Sequence, residues 1–457
     1  MEQAMNGSSR QDCKADRTLQ PSEDVSARMP DLSSAPDHEA AGGPHSQQSQ
    51  DHKFIDPSVW RIVGNPLVPP VHDGPLHDLG VAVKDLFAVQ GFAIGAGNPK
   101  FLSEARIQKN HASAVRSLLE AGAHVVGIAQ TDEFAYSLSG VNIHYGAAPN
   151  PSAPGRISGG SSSGPATAVS GGQAEIGLGT DTAGSIRVPA AYQGLWGIRT
   201  STGRIQRDGV HPLSPSFDTV GILARDAHTL AIAAEQLMPE PDRAAPAGVK
   251  TDVLLDSCVD EDVRIAFSQW RSTALRNLHT HDCEIHDSTI TANSGELAIT
   301  HDMLDAWLTI FNTVRGYEAW KAHGGWVSNH WNDMDPQIAS RFERDMHITA
   351  EDYENFCVTF ADARAEIRNL LGNHLLLIPT VSCVAPLAGD SDESIQAIAH
   401  ARAETMLLTT IAGIAGLPAV NIPIRTKAGL PCGACLIGPS GSDKGVIAAA
   451  EHLAKNV

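Results

Sequence analysis

Two residues in this sequence have the chemistry for acyl transfer and surroundings that would let them use it. Ser185 closes the run Asp181-Thr182-Ala183-Gly184-Ser185, which follows the apolar stretch AEIGLGT (174–180). A serine in a turn of small residues after a buried strand presents its hydroxyl at a sheet edge. Successive backbone N–H groups of such a turn can converge on an oxyanion. A serine hydroxyl is a weak nucleophile until a base takes its proton. The chain has 20 histidines, but none lies in a serine-hydrolase pattern and there is no G-x-S-x-G elbow. The other available base is a neutral lysine, because desolvation disfavours the ammonium. Lys84 has such a setting, with Val81, Ala82 and Val83 before it and Leu86 and Phe87 after it. A lone lysine that ends a strand is more commonly a surface residue, and both readings stand at this point.

The elements around these residues follow from hydrophobic periodicity. The stretches 79–87 and 124–130 read as strands, and 111–122 as a helix ended by Gly122. The Gly/Ser-rich run 158–172 has the composition of a linker. It lies between core segments, however, where glycines let backbone approach a ligand. The strand 174–180 follows it. This alternation from 79 to 225 predicts an α/β fold, a sheet with helices on both faces. Residues 226–370 read as a mostly helical insertion, clearest at 301–320 and 351–372, that forms a cap or one wall of a pocket. Strand character returns at 374–380, 418–424 and 432–439, with helices at 403–416 and 444–454. There is no internal repeat.

Bulk properties narrow the function classes. With 52 acidic and 33 basic residues, the 457-residue chain carries a formal charge of −19. That argues against nucleic acid or an anionic membrane surface as partner. No apolar run is long enough to span a bilayer, and the first residues lack the pattern of a secretory signal. Residues 1–52 are polar and read as a disordered tail, with one domain from 53 to 457. Seven cysteines fit reduced thiols in the cytoplasm rather than a disulfide framework. Cys432 and Cys435 form a lone C-x-x-C best read as core packing. His279, His281, Cys283 and His286 have mixed spacing that fits a strand face better than a metal site. Trp307, Phe311, Tyr317 and Trp320 read as core along the long helix.

The motifs themselves resemble a known family. GGSSSGPATAVSGG, then GLGTDTAGSIRVPAAYQGLWGIRTSTGRI, are similar to the amidase-signature motif, and VAVKDLF, DEFAYSLSGVNIHYGAAPNP and PLSPSFDTVGILARD flank it in family order. The resemblance is dense from 79 to 226 and does not reach the first 50 residues. It implies the amidase-signature fold: a mixed central sheet covered by helices on both faces, with the helical insertion forming part of the substrate pocket. It implies that Ser185 is the nucleophile that forms an acyl-enzyme, that Ser161 is a bridging serine preceded by a cis peptide, and that Lys84 is the base. Thr182, Ala183, Gly184 and Ser185 would supply oxyanion-hole N–H groups. No cofactor or metal is implied. The partner is a small-molecule amide, and the assembly a homodimer. Two positions depart from the family pattern: Ser163-Gly164, followed by Pro165, stands where a pair of glycines is usual, and Ala183 where glycine is usual. Within the family, KDLFAVQGFAIGAGNP, EFAYSLSGVNIHYG and SPSFDTVGILARD look most like plant indole-3-acetamide hydrolases, which implies an aryl-acetamide substrate. Glutamyl-tRNA amidotransferase A subunits and allophanate hydrolases are alternative resemblances. So is a non-catalytic interaction domain like the amidase-like chloroplast import receptors, although those lose the nucleophile that is present here.

Overall fold

Alternation along the strand Gly80–Lys84 decides which way its lysine points. Val81 and Val83 pack into the larger of two apolar clusters and Ala82 into the smaller. Side chains alternate along a strand, so Lys84 is due on the side of Ala82. The helices Ser163–Ser170 and Arg187–Gln193 contribute Ala166, Ala168, Val169 and Ala190 to that smaller cluster. Opposite them, Ser113–Glu120 and Ala227–Leu237 add Val115, Leu118, Leu230 and Ala234 to the larger one. The sheet is therefore covered on both faces.

The computed structural model describes residues 55–280, 283–285, 288–290, 295 and 297–455. The polar stretch 1–52 lies outside them, as do His281 and His286 of the histidine-rich segment. Among the described residues ten strands form one sheet in the order Trp60–Val68, His124–Ala129, Gly80–Lys84, Ile176–Asp181, Thr219–Ala224, Trp196–Arg199, Ala419–Arg425, Pro431–Ile437, Leu375–Pro379 and Val249–Lys250. The three strands from His124–Ala129 to Ile176–Asp181 run parallel. The next pairings are antiparallel, from Thr219–Ala224 through to Leu375–Pro379. The sheet is thus mixed. Lys84 and Asp181 are the last residues of neighbouring parallel strands, the edge at which ligands bind in open α/β sheets.

Several expected elements differ in extent. The strand from 79 stops at Lys84, because residues 85–87 turn away, with Leu86 and Phe87 both donating to the Lys84 carbonyl. The linker-like run 158–172 is half helix, Ser163–Ser170. The helix expected at 403–416 begins earlier, at Asp392, and its first two turns are largely exposed. Trp307 and Phe311 are buried on the helix His301–Val327, Phe311 against Phe217 with ring centroids 4.5 Å apart. Tyr317 stacks on Tyr353 at 4.3 Å and Trp320 on Trp331 at 6.1 Å. Cys432 and Cys435 are buried free thiols within the strand Pro431–Ile437, and burial pushes them up to about 12 and about 11.

Candidate active site

The helical start of Ser163–Ser170 and the turn before Arg187–Gln193 bring two serine segments to the end of the lysine strand. Lys84 and Ser161 are fully buried and Ser185 nearly so, at 2% exposed. The Lys84 Nζ donates to Ser161 Oγ at 2.8 Å and to Thr180 Oγ1 at 2.9 Å. The Ser162 N–H donates to the Ser185 carbonyl at 3.2 Å, tying the two serine segments together. The Gly160–Ser161 peptide is cis. The Ser161 carbonyl accepts from the Thr131 hydroxyl (2.9 Å) and the Asp132 N–H (3.2 Å). Among the described residues the Ser185 hydroxyl has no hydrogen-bond partner, and no histidine side chain bonds to either serine.

Electrostatics favour the neutral lysine. Burial lowers Lys84 to about 7, against the opposing pull of Asp132, Asp181 and Asp218. The Asp132 carboxyl is itself raised by burial, with Gly140 N–H, Lys84 and the Ser163 hydroxyl offsetting part of that. It accepts from Gly140 N–H at 3.0 Å and from Ser163 Oγ at 3.2 Å. It also sits hard against the backbone: a Cβ on Gly160 would lie 2.3 Å from Asp132 Oδ2. A side chain there would push the Asp132 carboxylate out of place.

Asp181 organises the turn that carries Ser185. Its Oδ1 accepts from Gly184 N–H at 2.9 Å and its Oδ2 from Ile186 N–H at 3.2 Å. Arg187 clamps both oxygens at 3.0 and 2.9 Å, and Arg199 adds a contact at 3.1 Å. All three side chains are fully buried. Burial alone would raise the Asp181 carboxyl, but Arg187 and Arg199 outweigh it and hold the group well below the usual range. Gly184, at φ 121°, takes a conformation that side chains rarely adopt. One expectation changes here. The Gly184 N–H is committed to Asp181, so it leaves the set of oxyanion donors. The N–H groups of Thr182, Ala183 and Ser185 have no partner among the described residues.

A cavity of about 220 Å³ adjoins this turn. Thr180 and Thr182 line it on the side of Lys84 and the Ser185 turn, with Leu86, Val210, Leu213 and Val220 as apolar walls. Asp218 reaches it too, accepting from Thr182 Oγ1 at 2.6 Å and from the Leu213 and Ser214 N–H groups at 2.9 Å each. The lining residues all precede the helical insertion, which works from behind. Glu318 accepts from the Ser214 and Ser216 hydroxyls at 2.6 and 2.5 Å, and His323 bonds the Pro212 carbonyl at 2.8 Å. These contacts fix the loop that forms the wall. Burial lowers His211 to about 4 and His323 to about 3, so both imidazoles are neutral.

The expectations from the sequence place Lys84, Ser161 and the Ser185 turn together, and they are together. Asp132, Thr180, Asp181 and Asp218 were not foreseen. Asp181 had a legible signal: an acid ending an apolar strand, with Arg187 two positions beyond the candidate nucleophile.

Comparison with known proteins agrees with this geometry. A family model described as Amidase matches residues 70–270. The chain is 33% identical over 403 residues to Amidase 1 of Oryza sativa subsp. japonica, covering 84% of this chain and 92% of that protein. It is 31% identical to Outer envelope protein 64, chloroplastic, of Arabidopsis thaliana, over 86% of this chain and 68% of that one. Its fold superposes on a crystal structure of an amidase with a TM-score of 0.70 at 29% identity, covering 83% of this chain and 85% of that chain. The chain belongs to the amidase family and is an amidase, a hydrolase of amide C–N bonds.

Proposed function

We propose that this enzyme hydrolyses a carboxamide through Ser185, Ser161 and Lys84. The observation that carries the reading is the buried Lys84–Ser161 hydrogen bond of 2.8 Å, beside a serine whose turn leaves backbone N–H groups free. Ser185 Oγ attacks the amide carbonyl carbon. Its proton passes to Ser161 Oγ as the Ser161 proton passes to the neutral Lys84 Nζ. Thr182, Ala183 and Ser185 N–H groups stabilise the oxyanion, a contribution of roughly 10²–10³ in rate per donor. The C–N bond then breaks, and the Lys84 proton returns through Ser161 to the leaving nitrogen. Water attacks the Ser185 ester by the same proton path and frees the acid. No metal or organic cofactor enters these steps.

The apolar walls of the neighbouring cavity support an aryl-acetamide such as indole-3-acetamide as the substrate class. The cytoplasm is the proposed compartment, and a homodimer the proposed assembly. No helix among the described residues is long and apolar enough to cross a membrane.

Ammonia release from a panel of indole-3-acetamide, phenylacetamide, benzamide, short aliphatic amides, glutamine and allophanate tests the reading. Turnover of one class, lost by roughly 10⁴-fold or more in Ser185→Ala and in Lys84→Ala, is expected. A Ser185→Ala protein with wild-type turnover refutes it.

A further inference from the structure

One wall of the cavity beside the nucleophile turn is held by residues that do not line it. Leu213 and Pro215 line the cavity, and the stretch 213–216 to which they belong is gripped between two carboxylates. On the sheet side, Asp218 accepts from the Leu213 and Ser214 N–H groups at 2.9 Å each. On the other side stands Glu318, from the helix His301–Val327. It accepts from the Ser214 hydroxyl at 2.6 Å, the Ser216 N–H at 3.0 Å and the Ser216 hydroxyl at 2.5 Å. A further contact comes from the Tyr353 hydroxyl at 3.0 Å, on the helix Ala350–Leu371. A carboxylate offers about four acceptor sites, and one short stretch of loop fills most of those on Glu318.

Among the described residues no cation pairs with Glu318, which is half-buried. Hydrogen bonds to an ionised acceptor are roughly twice as strong as neutral ones, so its charge acts on the loop. Its neighbour Tyr317 stacks on Tyr353, and the two helices hold the carboxylate together. Pro215 has no N–H and a fixed φ, which leaves the serines on either side of it as the handles on this part of the wall. The loop also reaches the chemistry. Asp218, which holds its near side, accepts from the Thr182 hydroxyl at 2.6 Å, and Thr182 and Thr180 line the same cavity. The space itself sets a limit on size. An apolar cavity of about 150 Å³ holds benzene. At about 220 Å³, this one takes a second fused ring and little more.

We propose that Glu318 is a specificity-determining positioning residue: by clamping residues 213–216 it fixes the cavity at the size of a two-ring aryl group. The proposal rests on this cavity taking the acyl group of the amide. Glu318 touches no reacting atom and acts through the loop. The test is the ratio of kcat/KM for indole-3-acetamide to that for para-biphenylacetamide, whose end-to-end rings are too long for the cavity. In the wild type the ratio is expected to favour the indole by about tenfold or more. Glu318→Ala frees the loop and should cut the ratio by about tenfold, mainly through KM. Glu318→Gln should keep it. Its amide oxygen still accepts from the Ser214 hydroxyl and the Ser216 N–H, and its amide NH₂ donates to the Ser216 and Tyr353 hydroxyl oxygens. Ser216→Ala loses one handle and should move the ratio the same way as Glu318→Ala, though less far; it decides the matter if Glu318→Ala does not fold. A wild type that takes both amides equally, a ratio unchanged by the alanine variants, or a ratio lost equally in Glu318→Gln overturns the clamp. If the wild type turns over neither amide, the aryl-acetamide reading fails by itself, and calorimetric binding of the two amides decides the clamp. A binding ratio that falls about tenfold in Glu318→Ala sustains it; an equal ratio, or no binding to the wild type, overturns it.

Discussion

The pH dependence of turnover follows directly from the burial of Lys84. Desolvation lowers this lysine from 10.5 to about 7, with Asp132 as the leading opposing charge. The base must be neutral to accept a proton, so kcat/KM rises with pH and levels off above about 7. Below that, one proton blocks the base, and activity falls tenfold per pH unit. At pH 5 the enzyme should retain roughly one hundredth of its plateau. Asp132→Asn removes the charge that most favours the ammonium. The limb should then move to lower pH by roughly one unit, leaving the variant about a tenth of its own plateau at pH 5. The same shift has a stability counterpart. Between about 7 and 10.5 the unfolded lysine binds a proton that the folded one does not, so stability rises with pH across that window. The assay is initial-rate ammonia release from pH 5 to 10 at substrate well below KM, with buffers overlapped. A flat profile, a limb that stays above pH 9, or an Asp132→Asn limb displaced upward would refute the reasoning.

Two further perturbations probe the scaffold of the site. Asp181→Asn leaves Arg187 and Arg199 buried against a neutral amide and should cost about 3–5 kcal/mol of stability, read as a lower urea midpoint; a change under about 1 kcal/mol would remove Asp181 from its organising role. Gly160→Ala drives a methyl into the Asp132 carboxylate and should abolish turnover while circular dichroism stays native, whereas a fully active variant would contradict the close approach.

Much of this was legible because apolar runs and small-residue turns are local signals. The strands Gly80–Lys84, His124–Ala129 and Ile176–Asp181 announce themselves by buried, β-branched sequence, and the turn after Asp181 by its small residues. Four strands of the sheet gave no such signal, among them the two-residue Val249–Lys250, too short to show any period. Trp60–Val68 contains Gly64, Asn65 and Pro66, which read as a turn and are tolerated because this strand pairs on only one side. Trp196–Arg199 is only four residues long. Thr219–Ala224 is a short apolar run that periodicity cannot assign. The charged partners were hidden for another reason. Asp132 meets Gly160 across 28 positions of chain, and Asp218 reaches Thr182 across 36. Contacts of that separation are set by sheet order, which no local pattern encodes. The commitment of the Gly184 N–H to Asp181 is likewise a property of the folded turn.

The central claim is a covalent intermediate on Ser185. The most direct measurement is intact-mass spectrometry of the enzyme quenched in acid during turnover of a slowly deacylating substrate, followed by peptide mapping. The account predicts an added acyl mass confined to the peptide that contains Ser185, absent in Ser185→Ala and in Lys84→Ala. Turnover with no acyl adduct under conditions where deacylation limits the rate, or an adduct on another residue, would contradict it.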